Sequence, residues 1–326
     1  IKLFLFLIVL SANSFAKNIP PGSGIADVPA NVLILLDKSG SMNARMISGS
    51  GFYYPVGLAA DGNGNVYGAQ ISTRGIKKIL DSTGNADPSW AVSGTYRGSG
   101  QCRAYYVYSM EVHGNYLYAV SYYGHSVFRV HTTTGVCDYS ERVRYAYNLA
   151  IGDNKLHAFG RYGHRTTWNL SGSTPSKITC SGSVYSWMRY TLGTAVDPSG
   201  KYWYSAYYNV LYRHTIDNNG CVSTTYASQR LSSRYLYNAT IRFHPTNDNI
   251  LYAANRYRHN VVKITLNTSS SISFSVNSYK SVGRCCRGTS NASRQYLYYP
   301  YGIAIDKTNN RVWSNSYYNG SAIGWD

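Results

Sequence analysis

Two kinds of residue cluster in this sequence could do chemistry. The first is Asp37-Lys38-Ser39-Gly40-Ser41-Met42, a D-x-S-x-S pattern. One carboxylate and two hydroxyls aimed at one point suit a small hard cation, Mg²⁺ or Ca²⁺. Such an ion takes oxygen ligands and keeps positions for water or a partner's carboxylate. The second kind recurs along the chain. Tyr122-Tyr123-Gly124-His125, Arg161-Tyr162-Gly163-His164, Tyr207-Tyr208-Asn209, Arg256-Tyr257-Arg258-His259 and Tyr317-Tyr318-Asn319 combine phenol rings with Arg, His or Asn. Ring faces suit sugars or bases, and guanidinium suits carboxylate, sulfate or phosphate. The alternative is packing: such Tyr pairs can fill the space between neighbouring elements, with only the hydroxyl reaching water.

The elements that must position these clusters differ before and after residue 50. Asn31-Val32-Leu33-Ile34-Leu35-Leu36 is a continuous apolar run, suited to a parallel strand buried on both faces. Its carboxyl end, where open α/β sheets place ligands, carries Asp37. From Gly51 the pattern becomes short alternating strands separated by Gly, Asn and Asp turns. The units VGLAADGNGNVYGAQ, YSMEVHGNYLYAVSYYGHSVFRV, YNLAIGDNKLHAFGRYGHRTTWNL, LGTAVDPSGKYWYSAYYNVLYRHTI, ATIRFHPTNDNILYAANRYRHNVVKITL and YGIAIDKTNNRVWSNSYYNGSAIGW repeat one plan. Their second-strand anchors Tyr67, Tyr118, His157, Tyr204, Tyr252 and Trp313 recur about every 49 residues, the period of a propeller blade. Amphipathic helices, which a helical solenoid needs, are missing.

The expected fold is therefore all-β, a six-bladed β-propeller over residues 51–326. Three strands per unit are plain, and the fourth falls in spacers such as Ser171–Ser186 and Ser270–Val282. Equivalent loops of a propeller share a face, so the Tyr, Arg and His clusters should gather on one. The sixth unit stops at its third strand, and residues 43–50 look too polar to complete it. The expectation places the closing strand beyond Asp326.

The units resemble NHL-type propeller repeats, most clearly at Pro55-Val56-Gly57-Leu58-Ala59 and Pro300-Tyr301-Gly302-Ile303-Ala304-Ile305-Asp306. Some NHL-type lyases hold zinc at the propeller axis, and on that resemblance His125, His164 and His259 are candidate ligands. The stretch ANVLILLDKSGSM resembles the opening of a von Willebrand factor type A domain with its metal-ion-dependent adhesion site, as found in pilus-tip adhesins of the PilC/PilY kind. The resemblance implies that residues 17–50 are a lead-in plus the first strand and metal loop of an α/β type A domain. The propeller would be inserted into it, and the remaining Thr and Asp ligands would follow Asp326.

Composition restricts the function. Hydrophobic residues at 44% exclude general disorder, and charged residues at 14% are low for a cytosolic protein. The net charge of +17 favours anionic partners. The basic residues are scattered, so no nucleic-acid motif is formed. Lys2, the apolar run Leu3–Leu10 and Ser14-x-Ala16 read as a secretory signal peptide over residues 1–16. Export makes intracellular nucleic acid an unsuitable partner.

Six cysteines, Cys102, Cys137, Cys180, Cys221, Cys285 and Cys286, fit disulfides in an exported chain. Their placement suggests Cys102–Cys137, Cys180–Cys221 and a vicinal Cys285–Cys286 pair. There is no G-x-S-x-G and no suggestive carboxylate pair, and Asp61, Asp197 and Asp306 fall in strand-joining turns. The reading is an exported, non-enzymatic, cell-surface or pilus-associated adhesin. Its partners would be surface glycans, other anionic polymers, a protein carboxylate or pilus components. The alternatives are a secreted NHL-type lyase or hydrolase, or a purely structural protein-binding propeller.

Overall fold

The structure is a computed structural model that describes residues 46–48, 54–71, 75–80, 82–93, 102–160, 165–180, 193–231, 240–267, 275–284, 297, 299–308, 310–318 and 321–325. The expected signal peptide, the strand before Asp37, the metal loop with Asp37, Ser39 and Ser41, the cluster Arg161, Tyr162 and His164, and the pair Cys285 and Cys286 lie outside these residues.

Short alternating apolar segments cannot bury a face alone, so each pairs with its sequence neighbours and stacks on the next sheet. A short strand β1 (Met46–Ser48) precedes the repeats. Blade one is β2 (Pro55–Ala60), β3 (Val66–Gln70), β4 (Gly75–Ile79) and β5 (Ala86–Ser93). Blade two is β6 (Val107–His113), β7 (Tyr116–Ser121), β8 (Ser126–His131) and β9 (Cys137–Arg142). Blade three is β10 (Ala146–Gly152), β11 (Lys155–Gly160), β12 (Arg165–Asn169) and β13 (Ser176–Ile178). Blade four is β14 (Gly193–Val196), β15 (Tyr202–Tyr207), β16 (Val210–Ile216) and β17 (Val222–Arg230). Blade five is β18 (Thr240–His244), β19 (Asn247–Asn255), β20 (Asn260–Asn267) and β21 (Ser275–Arg284). Blade six is β22 (Ile303–Asp306), β23 (Arg311–Ser316), β24 (Ser321–Trp325) and, as its fourth strand, β1.

All pairs within a blade are antiparallel, for example Glu111 opposite Tyr118 and Tyr118 opposite Arg129. The first strands touch in the order β2, β6, β10, β14, β18, β22 and back to β2. The ring is closed: the protein is a six-bladed β-propeller, and no helix occurs among the described residues. The outer strands expected in the spacers are β13 and β21.

The closing strand corrects one expectation. It is Met46–Ser48, paired in register with Ile323, Ala322 and Ser321, and not a segment beyond Asp326. It also lies ahead of Gly51, where the repeats were expected to start. Polarity was the wrong criterion for this position. An outer strand is held by backbone hydrogen bonds on one edge and faces water. The other outer strands are polar as well: CDYSER in β9 and VSTTYASQR in β17 alternate half-buried and exposed residues for most of their length.

The cores lie between blades. Tyr67, Ile76 and Trp90 of blade one pack on Met110, Leu117 and Phe128 of blade two. Tyr118 and Val127 meet Leu149 and Trp168, and Phe159 meets Trp203. Tyr204 and Leu211 meet Ile241 and Leu251, and Trp313 of blade six meets Leu58 and Ile79 of blade one. Glycine permits the close approach of the inner strands at the axis. A Cβ on Gly57 would come within 2.8 Å of the Val107 carbonyl, and one on Gly302 within 2.7 Å of the Val56 carbonyl. Cys102–Cys137 ties the entry of blade two to its outer strand, and Cys180–Cys221 joins blades three and four, the pairing expected for these four cysteines.

Candidate functional site

The turns between second and third strands, and the connections from one blade to the next, emerge on one face. The described parts of the tyrosine clusters lie there: Tyr122, Tyr123 and His125 between β7 and β8, Tyr207 at the end of β15 with Tyr208 in the turn to β16, Arg256, Tyr257 and His259 between β19 and β20, and Tyr317 and Tyr318 between β23 and β24.

Packing and exposure divide these clusters residue by residue. Tyr122 is buried, whereas Tyr123, Tyr208, Tyr257 and Tyr318 are 47%, 49%, 48% and 54% exposed. Those four occupy equivalent turns of four blades, and Tyr54 joins them at 44%. The rings brace one another edge-on. Tyr122 and Tyr123 lie 4.7 Å apart, Tyr317 and Tyr318 4.9 Å, and Tyr207 and Tyr208 4.5 Å.

The backbone beneath is strained in a repeated way. Tyr54, Tyr106, Tyr145 and Tyr299 each sit two residues ahead of an inner-strand register position, with φ of 49°, 56°, 51° and 53°. His125, Tyr208 and His259 adopt the same left-handed conformation in the second-to-third turns. Bulky residues rarely adopt it. The other non-glycine examples among the described residues, on the opposite face, are Asp153, Asn154 and Asn310, which tolerate it.

Hydrogen bonds hold this geometry. The Tyr145 N–H donates to His125 Nδ1 at 3.0 Å, and the Tyr299 N–H donates to His259 Nδ1 at 3.0 Å. Each histidine thus fixes the strained tyrosine that opens the next blade. These two expected binding residues spend one ring nitrogen on positioning. Burial, with Arg142 and Arg144 nearby, holds the His125 imidazole below its ordinary pKa, which keeps Nδ1 available as an acceptor.

The spacing of the clusters did not disclose a further set of tyrosines. Tyr108 and Tyr147 enter inner strands β6 and β10, and Tyr301 stands just ahead of β22. Tyr108 and Tyr147 lie 4.7 Å apart, and Tyr147 lies 5.6 Å from Tyr122. The signal was present in the repeat register: Tyr108-Ser-Met110, Tyr147-Asn-Leu149 and Tyr301-Gly-Ile303 are equivalent triplets. Arg256 reaches over the Tyr301 ring at 4.3 Å, with Tyr257 and Tyr299 each at 5.6 Å.

Charge separates by face. Among the described residues, the connections 102–106, 143–145 and 299–302 and the turns 122–125, 256–259 and 317–318 carry Arg103, Arg144, Arg256 and Arg258 but no Lys, Asp or Glu. The carboxylates gather at the opposite turns: Asp61, Asp153, Asp197, Asp217 and Asp306. That face opens into an axial cavity of about 410 Å³ lined by Asp61, Glu111, His113, Asp153, Asp197, Arg242, His244 and Lys307. Several of these groups are committed to structure. Asp61 accepts from the backbone of Asn63 and Asn65 and from the Tyr67 hydroxyl, and Asp197 accepts from the Tyr202 N–H and from Ser199. Arg242, buried among the inner strands, donates to the carbonyls of Thr194, Ile241 and Met110 and to Ser109 Oγ, and lies 3.8 Å from Glu111. Among the described residues no group of three or more His, Cys, Asp or Glu side chains is arranged to hold a metal ion.

No family model matches the chain, and no curated protein matches its sequence. The fold, however, recurs in solved structures. A protein of unknown function from Bacteroides thetaiotaomicron aligns at TM-score 0.57 and 14% identity, over 86% of this chain and 75% of the other. The β-propeller domain of Cps50 (Swd1) from Myceliophteria thermophila aligns at TM-score 0.57 and 9% identity, over 86% and 99%. A chain of Kuenenia stuttgartiensis hydrazine synthase aligns at TM-score 0.53 and 11% identity, over 84% and 95%. At these identities the likeness carries the fold alone.

Proposed function

We propose that this chain is an exported, non-catalytic binding module that attaches to anionic surface polymers through its tyrosine and arginine face. One observation carries the reading: a face with exposed rings at four equivalent turns and arginine in its loops, with no carboxylate among the described residues of its connections to neutralise it. Exposed aromatics at equivalent turns are not needed for a core, and strained backbone is retained where it positions functional groups. Two disulfides are compatible with export. The cell-surface or pilus-associated setting, and a metal-assisted contact through Asp37, Ser39 and Ser41, belong to the same proposal and rest on sequence motif alone.

The test is retention of the purified chain on immobilised acidic and neutral polysaccharides across a salt gradient. Acidic polymers are expected to hold the protein and to release it as salt rises. The Tyr123→Ala, Tyr208→Ala, Tyr257→Ala triple variant is expected to lose retention with its melting curve unchanged. Equal retention of the triple variant and the native chain would refute the role of this face. Metal titration of the full chain, with Asp37→Ala as comparison, tests the cation loop: equal binding removes it.

A further inference from the structure

The axial end of this face contains a more specific feature than a basic, aromatic surface. Arg256 leaves the blade-five turn and lies over Tyr301 of blade six. Its Nε is buried without a hydrogen-bond partner, and no carboxylate among the described residues pairs with it. The terminal N–H groups of the guanidinium are not buried, so a cation with no carboxylate beside it keeps donors that an anionic ligand can reach. Tyr301, just ahead of β22, lies under the guanidinium, whose charge reaches Tyr147; Tyr147 and Tyr108, 4.7 Å apart, are half-buried where two inner strands begin, and both feel Tyr301. Burial raises the pKa of all three phenols, that of Tyr301 to about 12. Their hydroxyls therefore stay neutral and serve as both donors and acceptors. The site thus holds one flat cation, several neutral hydroxyls and aromatic walls.

We propose that Arg256, Tyr108, Tyr147 and Tyr301 form a subsite for one acidic sugar residue. Its carboxylate or sulfate would sit on the guanidinium and its hydroxyls on the phenols, with a C–H face against a ring. This rests on the reading that the face binds anionic polymers, and it names which unit of the polymer enters the axis. A single-stranded nucleic acid is the competing polymer. Edge-on ring pairs such as Tyr122–Tyr123 at 82° and Tyr317–Tyr318 at 87° present edges and hydroxyls more than the open parallel faces on which successive bases stack.

The experiment measures affinity of the full chain for a sulfated hexasaccharide, an oligogalacturonate, a neutral maltohexaose and an oligothymidylate. The variants are R256Q, R256K and, on the opposite face, K307Q. The sulfated and uronic arms distinguish the two anionic groups. Native protein is expected to bind at least one acidic saccharide tenfold more tightly than maltohexaose. R256Q should lose that tenfold preference, and K307Q should bind within twofold of native. If R256Q melts early, R256K is read instead: it keeps the charge without the flat fork and should lose at least threefold. Native affinity in R256Q, or in R256K where that is the variant read, overturns the axial subsite. The face itself still stands if the exposed-tyrosine triple variant then loses binding. If the native chain binds no acidic saccharide, both readings fail. Tighter binding of oligothymidylate than of either acidic saccharide overturns the sugar assignment.

Discussion

Single residues on the tyrosine face are chosen against local comfort. Tyr208 has a φ of 51°, where glycine or asparagine would be easier, and it is 49% exposed. Relief of left-handed strain offsets glycine's larger entropy loss, so Tyr208→Gly is expected to change stability by less than about 1 kcal/mol. It should nevertheless weaken binding to acidic polymers. Urea unfolding beside a retention assay separates the two effects. His125 behaves differently. Its Nδ1 accepts the Tyr145 N–H, so His125→Ala leaves that donor unpaired and is expected to cost about 1–2 kcal/mol in the same unfolding measurement.

At the scale of elements, the outer strands and staples decide closure. Ile47→Pro disturbs β1 opposite Ala322 and exposes the edge of β24. It should lower the melting temperature by several degrees and promote aggregation, as read by light scattering on heating. Cys180–Cys221 closes a sequence separation of 41 residues, and Cys180→Ser is expected to cost about 2–4 kcal/mol. The inner and middle strands were legible in the sequence because their buried faces impose an apolar pattern. Tyr67, Leu117, Trp203 and Trp313 each appear where the repeat requires a core residue. The closing strand was not legible. Met46–Ser48 bonds through its backbone to a partner nearly the whole repeat region away, and backbone pairing imposes no side-chain pattern.

The whole molecule is stitched across its axis and is sensitive to acid. Arg242 of blade five bonds to groups of blades two and four, and Glu111 of blade two accepts the Ile151 N–H of blade three. Arg242→Ala strands Glu111 and several acceptors, and is expected to cost about 3–5 kcal/mol in urea unfolding. Burial lowers the His157 pKa to about 3 and the His214 pKa to about 4. Between the ordinary histidine value of about 6.5 and those values, the unfolded chain takes up protons that the folded chain refuses. Stability is therefore expected to be full above about pH 6.5 and to fall as pH drops toward 4. His157→Phe should flatten that decline in melting temperature against pH.

The sequence by itself determined the repeat and the all-β class, together with the Tyr, Arg and His turns; for the cysteines it only suggested pairs, and the structure shows two of them. Period and alternation follow from local backbone geometry, which each unit carries within itself. Only the tertiary structure decided which tyrosine of each pair faces water, that the histidines clamp strained backbone, that Arg256 lies over Tyr301 and that Tyr108 meets Tyr147. Those outcomes depend on where separate blades meet around an axis, and no single repeat contains that distance.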